Sequence, residues 1–293
     1  MPELLRALSP TCCISQSRVY ATNSAIFHSG RESVLVDPGV TPMELNAIRA
    51  FISARRSVAR ALVLTHAHWD HIMGPAWFPG VPILAHRAYA AVLNAHAHHL
   101  QQLVTRWRHA EGLAPEPAYA LPQPDCSFDE QVTVEFGDHE LLIVAAPGHA
   151  PDHCALYEPE SGLLFAGDML SDLEIPMVMD SFAAYRQTMS RLAGLQVRVL
   201  VPGHGTPTAD PVEISDRFAH DGAYLDAVSA CASQAVARGA TLTESVKACE
   251  HIRFTQPDEY PNAHRWNIEQ AYLEAGGEVE GDAGLIGWEQ DWL

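Results

Sequence analysis

Basic residues are scarce in this sequence, which contains 18 Lys and Arg against 36 Asp and Glu and carries a formal charge of -18 at pH 7. Proteins that bind a phosphate backbone or an anionic membrane surface do so through clustered Lys and Arg. We therefore expect neither nucleic acid nor a membrane as a partner. A small-molecule substrate is the partner that the composition favours.

Long hydrophobic runs are also missing, since no segment approaches the roughly 20 apolar residues that cross a bilayer. The first residues, MPELLRALSP, lack the basic start and apolar stretch of a signal peptide. No C-x-x-C spacing occurs, which favours reduced, packed thiols over a disulfide framework and leaves the adjacent Cys12 and Cys13 as the main candidates for an exception. These absences predict a cytoplasmic protein. The six cysteines are Cys12, Cys13, Cys126, Cys154, Cys231 and Cys249.

The 293 residues are 47% hydrophobic, enough for one large domain or for a domain with an appendage. Alternating apolar runs bounded by turn residues predict ten strands. We place them at 18–20, 24–27, 33–36, 61–64, 82–85, 131–136, 140–145, 154–157, 163–166 and 197–201.

Helix signals fall between and after these strands. A capping box with proline at the first helical position predicts a helix from Thr41 to about Arg56. Further helices are predicted at about 87–111, 182–193 and 262–275, with a second capping box at 241–244. Almost all of the chain after Pro211 is predicted to be helical. We therefore divide it into an α/β catalytic domain, 1–210, and a helical C-terminal extension, 211–293.

The stretch LTHAHWDHIMG, 64–74, places three histidines and an aspartate directly after a predicted buried strand. His66 and His68 alternate with Ala67, so an extended chain would point both imidazoles to one side, where they could share a metal ion. Asp70 and His71 follow, and a chain turning there could direct them to a second ion. Two-metal hydrolytic sites hold their ions about 3.5–4 Å apart.

Three later segments each place one potential ligand just after a predicted strand. These are Pro147-Gly148-His149, Gly167-Asp168 and Pro202-Gly203-His204-Gly205. A glycine before the histidine or aspartate lets the backbone turn sharply and approach an ion closely. Five histidines and two aspartates at equivalent strand ends predict a metal site.

The sequence resembles the metallo-β-lactamase superfamily, whose His-x-His-x-Asp-His signature is met by His66, His68, Asp70 and His71. The resemblance spans roughly Val19 to Pro207 and is strongest to the glyoxalase II and lactonase branches. It implies a four-layer αββα sandwich with a helical C-terminal extension. It also implies that seven residues hold two divalent ions, with zinc as the favoured metal and iron or manganese as alternatives. His66, His68 and His149 would bind one ion, Asp70, His71 and His204 the other, and Asp168 both.

The function that this resemblance implies is a dinuclear hydrolase of a small ester-like substrate, with a thioester or lactone preferred over a phosphoester. A hydroxide bridging the two ions would attack the carbonyl, and Asp70 would accept or relay a proton as well as bind metal. Asp37 and Thr65 are interpreted as groups that orient the ligating imidazoles. An equally weighted alternative is that Asp37 only caps the turn before Pro38.

Four features outside the ligand set have competing interpretations. Lactonase and thioesterase relatives suggest that Tyr185 acts on the substrate carbonyl, although its spacing with Met189 and Leu192 equally predicts a core position. His153 is interpreted as a packing or hydrogen-bonding residue and not as a ligand. Trp69 either lines the substrate cavity or is simply packed. The cluster His96, His98 and His99 is predicted to lie on an exposed or partner-facing helix.

Pocket walls are expected from the 94–125 insertion and from the helices after Pro211. The apolar tail, GLIGWEQDWL, suggests a homodimer as an alternative use of the C-terminal region. No set of basic residues specific for glutathione is recognisable in that region.

Two other functions stay open. One is an iron-dependent persulfide-type dioxygenase that uses two histidines and a carboxylate. The other is a non-enzymatic protein with an inactive site, which the complete ligand set disfavours.

Overall fold

A computed structural model describes residues 4–112, 119–254 and 262–278. Its strands form two sheets, and the first contains seven of them in chain order. Strands β1 to β4 are antiparallel, whereas β4 to β7 run parallel. The strands are β1 (Arg6–Ser9), β2 (Cys12–Gln16), β3 (Asn23–Ser29), β4 (Glu32–Val36), β5 (Val58–Val63), β6 (Ile83–His86) and β7 (Cys126–Phe128).

The second sheet contains five strands in the order β12-β11-β10-β9-β8. Strands β11 and β12 are parallel and the other pairs are antiparallel, so β9, β11 and β12 all run in the same direction. The strands are β8 (Gln131–Phe136), β9 (His139–Ala145), β10 (Cys154–Glu158), β11 (Leu163–Phe165) and β12 (Val199–Val201).

Helices cover the outer face of each sheet. The first sheet packs against α1 (Pro42–Arg55), α2 (Tyr89–Ala95) and α3 (Ala97–Ala110), and a short 3-10 helix lies at Pro75–Trp77. The second sheet packs against α4 (Phe182–Ala193), α5 (Pro211–Ala237), α6 (Leu242–Cys249) and α7 (Ala263–Glu274). None of the helices among the described residues is long and apolar enough to cross a membrane.

Alternation along the strands explains why the two sheets face each other. On β3, Ile26 packs against the outer helices, whereas its neighbour Phe27 enters the space between the sheets. On β10, Ala155 likewise packs against the outer helices, and Leu156 enters the space between the sheets. Since successive strand residues point to opposite faces, apolar residues on both faces bury each sheet on two sides. The result is the four-layer αββα sandwich that the resemblance implied.

Most predicted elements are confirmed, and the differences are local. The predicted strand at 18–20 is wrong, because this segment is a loop in which Tyr20 and Ala21 adopt positive φ angles. Strands β1, β2 and β7 were not predicted. The predicted single helix at 87–111 is two helices that meet at His96. The sequence contains no helix breaker there, and Leu93 and Leu100, on either side of the break, both pack into the core. The 94–125 insertion lies partly outside the described residues, and the apolar tail lies entirely outside them.

The prediction of reduced cysteines is wrong for one pair. Cys231 on α5 and Cys249 on α6 form a disulfide, with their Cα atoms 5.9 Å apart. This bond depends on how the two helices pack, which an 18-residue separation without a recognisable motif does not reveal. Cys12 and Cys13, the expected exception, are both buried and not disulfide-bonded. The cytoplasmic location stays a prediction.

The C-terminal helices pack against the segment that follows β11. Asn267 on α7 donates to the carbonyl of Pro176 and accepts from the backbone N–H of Val178, and Trp266 donates to the Val178 carbonyl. On α5, Asp221 accepts from the backbone N–H of Leu170. The helical extension therefore fixes the path of residues 170–178. The division at 210 stays a prediction, although α5 does begin at Pro211.

Candidate metal centre

Four strand ends place the candidate ligands at one edge of the sandwich. The His66 to His71 segment follows β5, and His149, Asp168 and His204 follow β9, β11 and β12. Backbone hydrogen bonds join the two sheets at this edge, from Cys154 N–H to the Thr65 carbonyl at 2.9 Å and from Asn23 N–H to the Gly203 carbonyl at 2.7 Å. The site is thus assembled by both sheets and not by one loop.

Seven side chains converge there in two groups. The ligand atoms within each group lie within 4.8 Å of one another. Six of the residues are no more than 4% exposed, and the Asp168 side chain is 5% exposed. The first group is His66, His68, His149 and Asp168, and the second is Asp70, His71 and His204.

Asp168 lies between the two groups. Its Oδ1 is 3.1 Å from the Nε2 of His71, and its Oδ2 is 3.4 Å from the Nε2 atoms of both His66 and His204. The adjacent backbone is packed closely, because a Cβ on Gly203 would collide with Asp168 Oδ1. The glycine before His204 therefore permits this approach, as the sequence predicted.

Hydrogen bonds at Nδ1 set the orientation of four imidazoles. His149 and His204 donate from Nδ1 to the carbonyls of Met177 and Tyr20, each at 3.0 Å. His71 donates to Asp37 Oδ2 at 2.9 Å. His66 Nδ1 lies 3.0 Å from Thr65 Oγ1, which itself donates to Asp37. With Nδ1 donating, each ring directs Nε2 toward the centre, where its lone pair can bind a metal ion when that nitrogen carries no proton.

Ring nitrogens in the first group are too close for these imidazoles to satisfy one another. His68 Nδ1 lies 2.8 Å from His66 Nε2 and 3.2 Å from His149 Nε2. A hydrogen on His68 Nδ1 could serve only one of the two lone pairs facing it, which leaves at least one nitrogen pair repulsive. A cation between the three nitrogens removes this repulsion, so the donor set fits a metal ion.

Asp37 connects the two groups from behind the ligands. Its Oδ1 accepts from Thr65 N–H at 2.9 Å, and its Oδ2 accepts from both Thr65 Oγ1 at 2.6 Å and His71 Nδ1. One buried carboxylate therefore orients His71 directly and His66 through a hydroxyl. These hydrogen bonds support the interpretation of Asp37 and Thr65 as orienting groups, and the turn-only alternative does not account for them.

Burial and neighbouring charges shift the pKa values of the two groups in opposite directions. In the first group, burial lowers the pKa of His66, His68 and His149, and nearby imidazoles add to the effect on His66 and His68. In the second, burial opposes protonation, but carboxylates outweigh it and raise the pKa of His71 and His204. The imidazoles of the first group therefore favour the neutral form that binds metal, whereas those of His71 and His204 favour the protonated form in the absence of metal.

His153 and Asp152 make hydrogen bonds to backbone groups next to the candidate ligands. His153 donates from Nδ1 to the Ala146 carbonyl at 2.9 Å, and its Nε2 accepts from Asp168 N–H at 3.0 Å, which confirms a hydrogen-bonding role. Burial lowers the pKa of His153 to about 3. Asp152 accepts from Ala67 N–H at 2.9 Å, between two ligand positions, and burial raises its pKa to about 7. Asp152 was missed, because an Asp beside a His gives no sign of which backbone it contacts.

Tyr185 lies in the core and also against the metal centre. Its side chain is fully buried, and its hydroxyl makes no hydrogen bond with the described residues. It lines a cavity of about 10 Å³ together with His149, Asp168 and Asp221. Burial raises its pKa well above the ordinary tyrosine value, so the group is a phenol that can donate a hydrogen bond. The predicted core position of Tyr185 is confirmed, and its action on the substrate carbonyl stays a prediction.

Aromatic side chains form a wall beside the second group. Trp69 stacks on Trp107 of α3 with ring centroids 4.8 Å apart, and Tyr20 contacts both rings edge-on. Trp69 is 2% exposed, so it is a packed residue that joins the insertion to the ligand segment. The insertion thereby forms part of this wall. The histidines near its start are half-buried at His96 and His99 and exposed at His98.

The fold and the site define an αββα protein with two adjoining buried groups of His and Asp side chains that could hold metal. The model of the metallo-beta-lactamase superfamily matches residues 17–204, more than half of the chain. The chain belongs to this superfamily, whose members are usually metal-dependent hydrolases.

Relatives in sequence are named for several activities. A hydroxyacylglutathione hydrolase of Cereibacter sphaeroides is 25% identical over 66% of this chain and 64% of its own length. An atrochrysone carboxyl ACP thioesterase of Aspergillus fumigatus is 27% identical over 70% of this chain and 56% of its own. A beta-lactamase-like protein 2 homolog of Caenorhabditis elegans is 24% identical over 67% and 60%. The chain thus spans less than two thirds of the length of each.

Solved structures show the same fold. The sec-alkylsulfatase Pisa1 of Pseudomonas sp. superposes with a TM-score of 0.76 at 17% identity, over 95% of this chain and 51% of that one. A metallo-beta-lactamase family protein of Thermus thermophilus gives 0.63 at 22% identity, over 92% and 93%. Both likenesses extend beyond the matched family region into the C-terminal helices.

Replacing Asp37 tests the role of this carboxylate. We expect Asp37→Ala to weaken metal binding by about 10 to 100-fold, because His66 and His71 lose the group that orients them. Competition with a coloured chelator measures the affinity. The control is Asp129→Ala, which removes an exposed carboxylate paired with Arg87. Equal affinities in Asp37→Ala and the control would contradict the role.

Metal binding should release protons from the second group. Because neighbouring carboxylates raise the pKa of His71 and His204, both favour the protonated form without metal, and metal binding should displace protons from them. Affinity should therefore strengthen as pH rises and weaken as it falls. Calorimetry in buffers of different ionisation enthalpy counts the protons, and His204→Gln should release about one fewer. A proton count of zero for the unaltered protein would refute this account.

Proposed function

We propose that this protein is a dinuclear metal-dependent hydrolase, with zinc as the favoured metal, that cleaves a small thioester or lactone. The observation that carries the proposal is the pair of ligand groups with Asp168 between them. His66, His68 and His149 would hold one ion and Asp70, His71 and His204 the other, with Asp168 binding both. Each ion would then have nitrogen and oxygen donors of the kind zinc binds.

Two bound divalent ions would lower the pKa of water toward about 7 and polarise the substrate carbonyl. The chain supplies the remaining chemistry. Asp70 Oδ2 lies 3.2 Å from His204 Nε2 and accepts from Thr22 Oγ1 at 3.3 Å, contacts that support the proposal that this carboxylate accepts or relays a proton. The deep burial of all seven ligands excludes bulk water and strengthens these electrostatic interactions.

Tyr185 is proposed to donate a hydrogen bond to the substrate carbonyl oxygen. A fully buried hydroxyl without a partner among the described residues is costly, and a ligand oxygen entering the cavity beside His149 and Asp168 would satisfy it. This cavity has room for about one water molecule, so a single substrate oxygen atom would fill it. The hydroxyl would then be a catalytic group.

Ester-like carbonyl substrates agree with the relatives and with the charge. Among the relatives, a hydroxyacylglutathione hydrolase and an ACP thioesterase act on acyl groups. A glutathione thioester is not favoured in particular, since it is anionic and needs basic contacts. Arg217, which contacts the segment after Asp168, is committed to Glu213 and to the carbonyls of Leu170 and Thr206. A neutral acyl group or lactone suits this acidic protein better.

Removing Asp168 tests the dinuclear assignment. We expect Asp168→Ala to lose at least one of the two ions and to lower kcat for thioester or lactone hydrolysis by at least about 100-fold, because both ions lose a shared ligand. Elemental analysis and steady-state kinetics provide the two measurements. Asp129→Ala, which removes an exposed carboxylate paired with Arg87, is the control. Full occupancy and full activity in Asp168→Ala would exclude the assignment.

Tyr185→Phe separates a catalytic hydroxyl from a core residue. If the hydroxyl donates to the reacting carbonyl, kcat should fall by about 10 to 100-fold while the free energy of unfolding stays equal or rises, since an unpaired buried hydroxyl is removed. Kinetics and denaturant unfolding on the same preparation measure both. Unchanged kcat with unchanged metal content would show that Tyr185 is only a core residue.

A further inference from the structure

A third group of potential ligands lies at the opposite edge of the second sheet. His139 begins β9, Glu158 ends β10, and Glu160 lies in the turn before β11. Since β9 runs from His139 toward His149, its seven residues separate this group from the metal centre by about 20 Å. The group therefore shares neither residues nor space with the seven candidate ligands of the metal centre.

The three side chains converge on a common point. His139 Nδ1 lies 2.8 Å from Glu160 Oε2 and 3.3 Å from Glu158 Oε1, and the three ligand atoms lie within 4.8 Å of one another. The ring of Phe136 stacks on the imidazole with centroids 5.6 Å apart, which holds its orientation. One imidazole nitrogen and two carboxylates thus face each other on neighbouring strands.

Glu158 is the unusual member, because its carboxylate is completely buried. Its Oε2 accepts from the N–H of Ser161 at 2.9 Å and from the hydroxyl of that residue, which leaves Oε1 directed toward His139. Oε1 makes no hydrogen bond within the described part of the chain. Burying an ionised carboxylate is costly unless an opposite charge compensates it, so a cation at this oxygen would lower the cost.

Protein cations do not supply that charge fully. Among the described residues, Glu158 and Glu160 both form their ion pair with His139. The single hydrogen on His139 Nδ1 cannot point at two carboxylates at once. Arg198 lies beside the turn, but it donates to the backbone carbonyls of Glu160 and Ser161 and to neither carboxylate. A divalent ion contacted by all three side chains would balance both negative charges.

We propose that His139, Glu158 and Glu160 bind a divalent first-row metal ion, separate from the metal centre. One imidazole and two carboxylates form a mixed N/O set of the kind that binds zinc or manganese, and three protein ligands leave room for water. The ion would join β9 to the turn between β10 and β11 and so stabilise the sheet edge far from the active site. This site stands independently of the proposed function.

The proposal is tested by comparing the number of zinc ions bound per chain in the unaltered protein and in variants of two of the three ligands. The purified protein is dialysed to equilibrium against low micromolar Zn²⁺, and zinc per chain is measured by elemental analysis for the unaltered protein, His139→Ala and Glu160→Gln. The control is Glu140→Gln, which removes an exposed charge next to His139 but outside the group. We expect each ligand variant to bind one ion fewer than the unaltered protein and the control to bind the same number.

Glu160→Gln keeps the experiment decisive if a buried variant folds poorly, because the Glu160 side chain is 73% exposed. Zinc should also raise Tm more in the unaltered protein and in Glu140→Gln than in Glu160→Gln, since a ligand that binds only the folded state stabilises it. Equal zinc contents in all four proteins would overturn the proposal and leave an ion pair in its place. Loss of zinc from Glu140→Gln as well would overturn it in favour of a general charge effect.

Discussion

Imidazole nitrogens that face one another in a buried space are the constraint on which the structure of this centre depends. His68 Nδ1 approaches the Nε2 atoms of His66 and His149, whose other nitrogens already donate elsewhere. Such an arrangement is unfavourable without positive charge between the nitrogens. Asp168 brings a carboxylate to the same point and reaches across to His71 and His204. The hydrogen bonds around the centre hold these groups in a geometry that becomes favourable when cations lie between them.

Both sheets and the C-terminal helices contribute to that geometry. Backbone carbonyls of Tyr20 and Met177 orient His204 and His149, and each belongs to an irregular segment held by other elements. The 170–178 segment is hydrogen bonded to α5 and α7. The helical extension therefore supports the metal centre through the backbone, which explains why a helical addition can influence a site to which it gives no ligand.

Local patterns predicted most of the architecture, because strand alternation and helix capping are short-range properties. The helix from Pro42 and the helix Phe182–Ala193 follow directly from such signals. The seven candidate ligands were recognisable because they follow strands and match a known signature. Long-range contacts were not predictable: Asp37 carried two equal interpretations until its bonds to Thr65 and His71 were seen, and Asp152, the break at His96 and the Cys231–Cys249 disulfide depend on packing between distant segments.

The most direct test of the central claim is anomalous diffraction from crystals of the protein as purified, collected at the zinc and iron absorption edges. The account predicts two zinc peaks about 3.5–4 Å apart, one among His66, His68 and His149 and the other among Asp70, His71 and His204, with Asp168 contacting both. A single iron peak in the first group would contradict it and favour an iron-dependent oxygenase. No peak in either group would contradict the metal centre altogether.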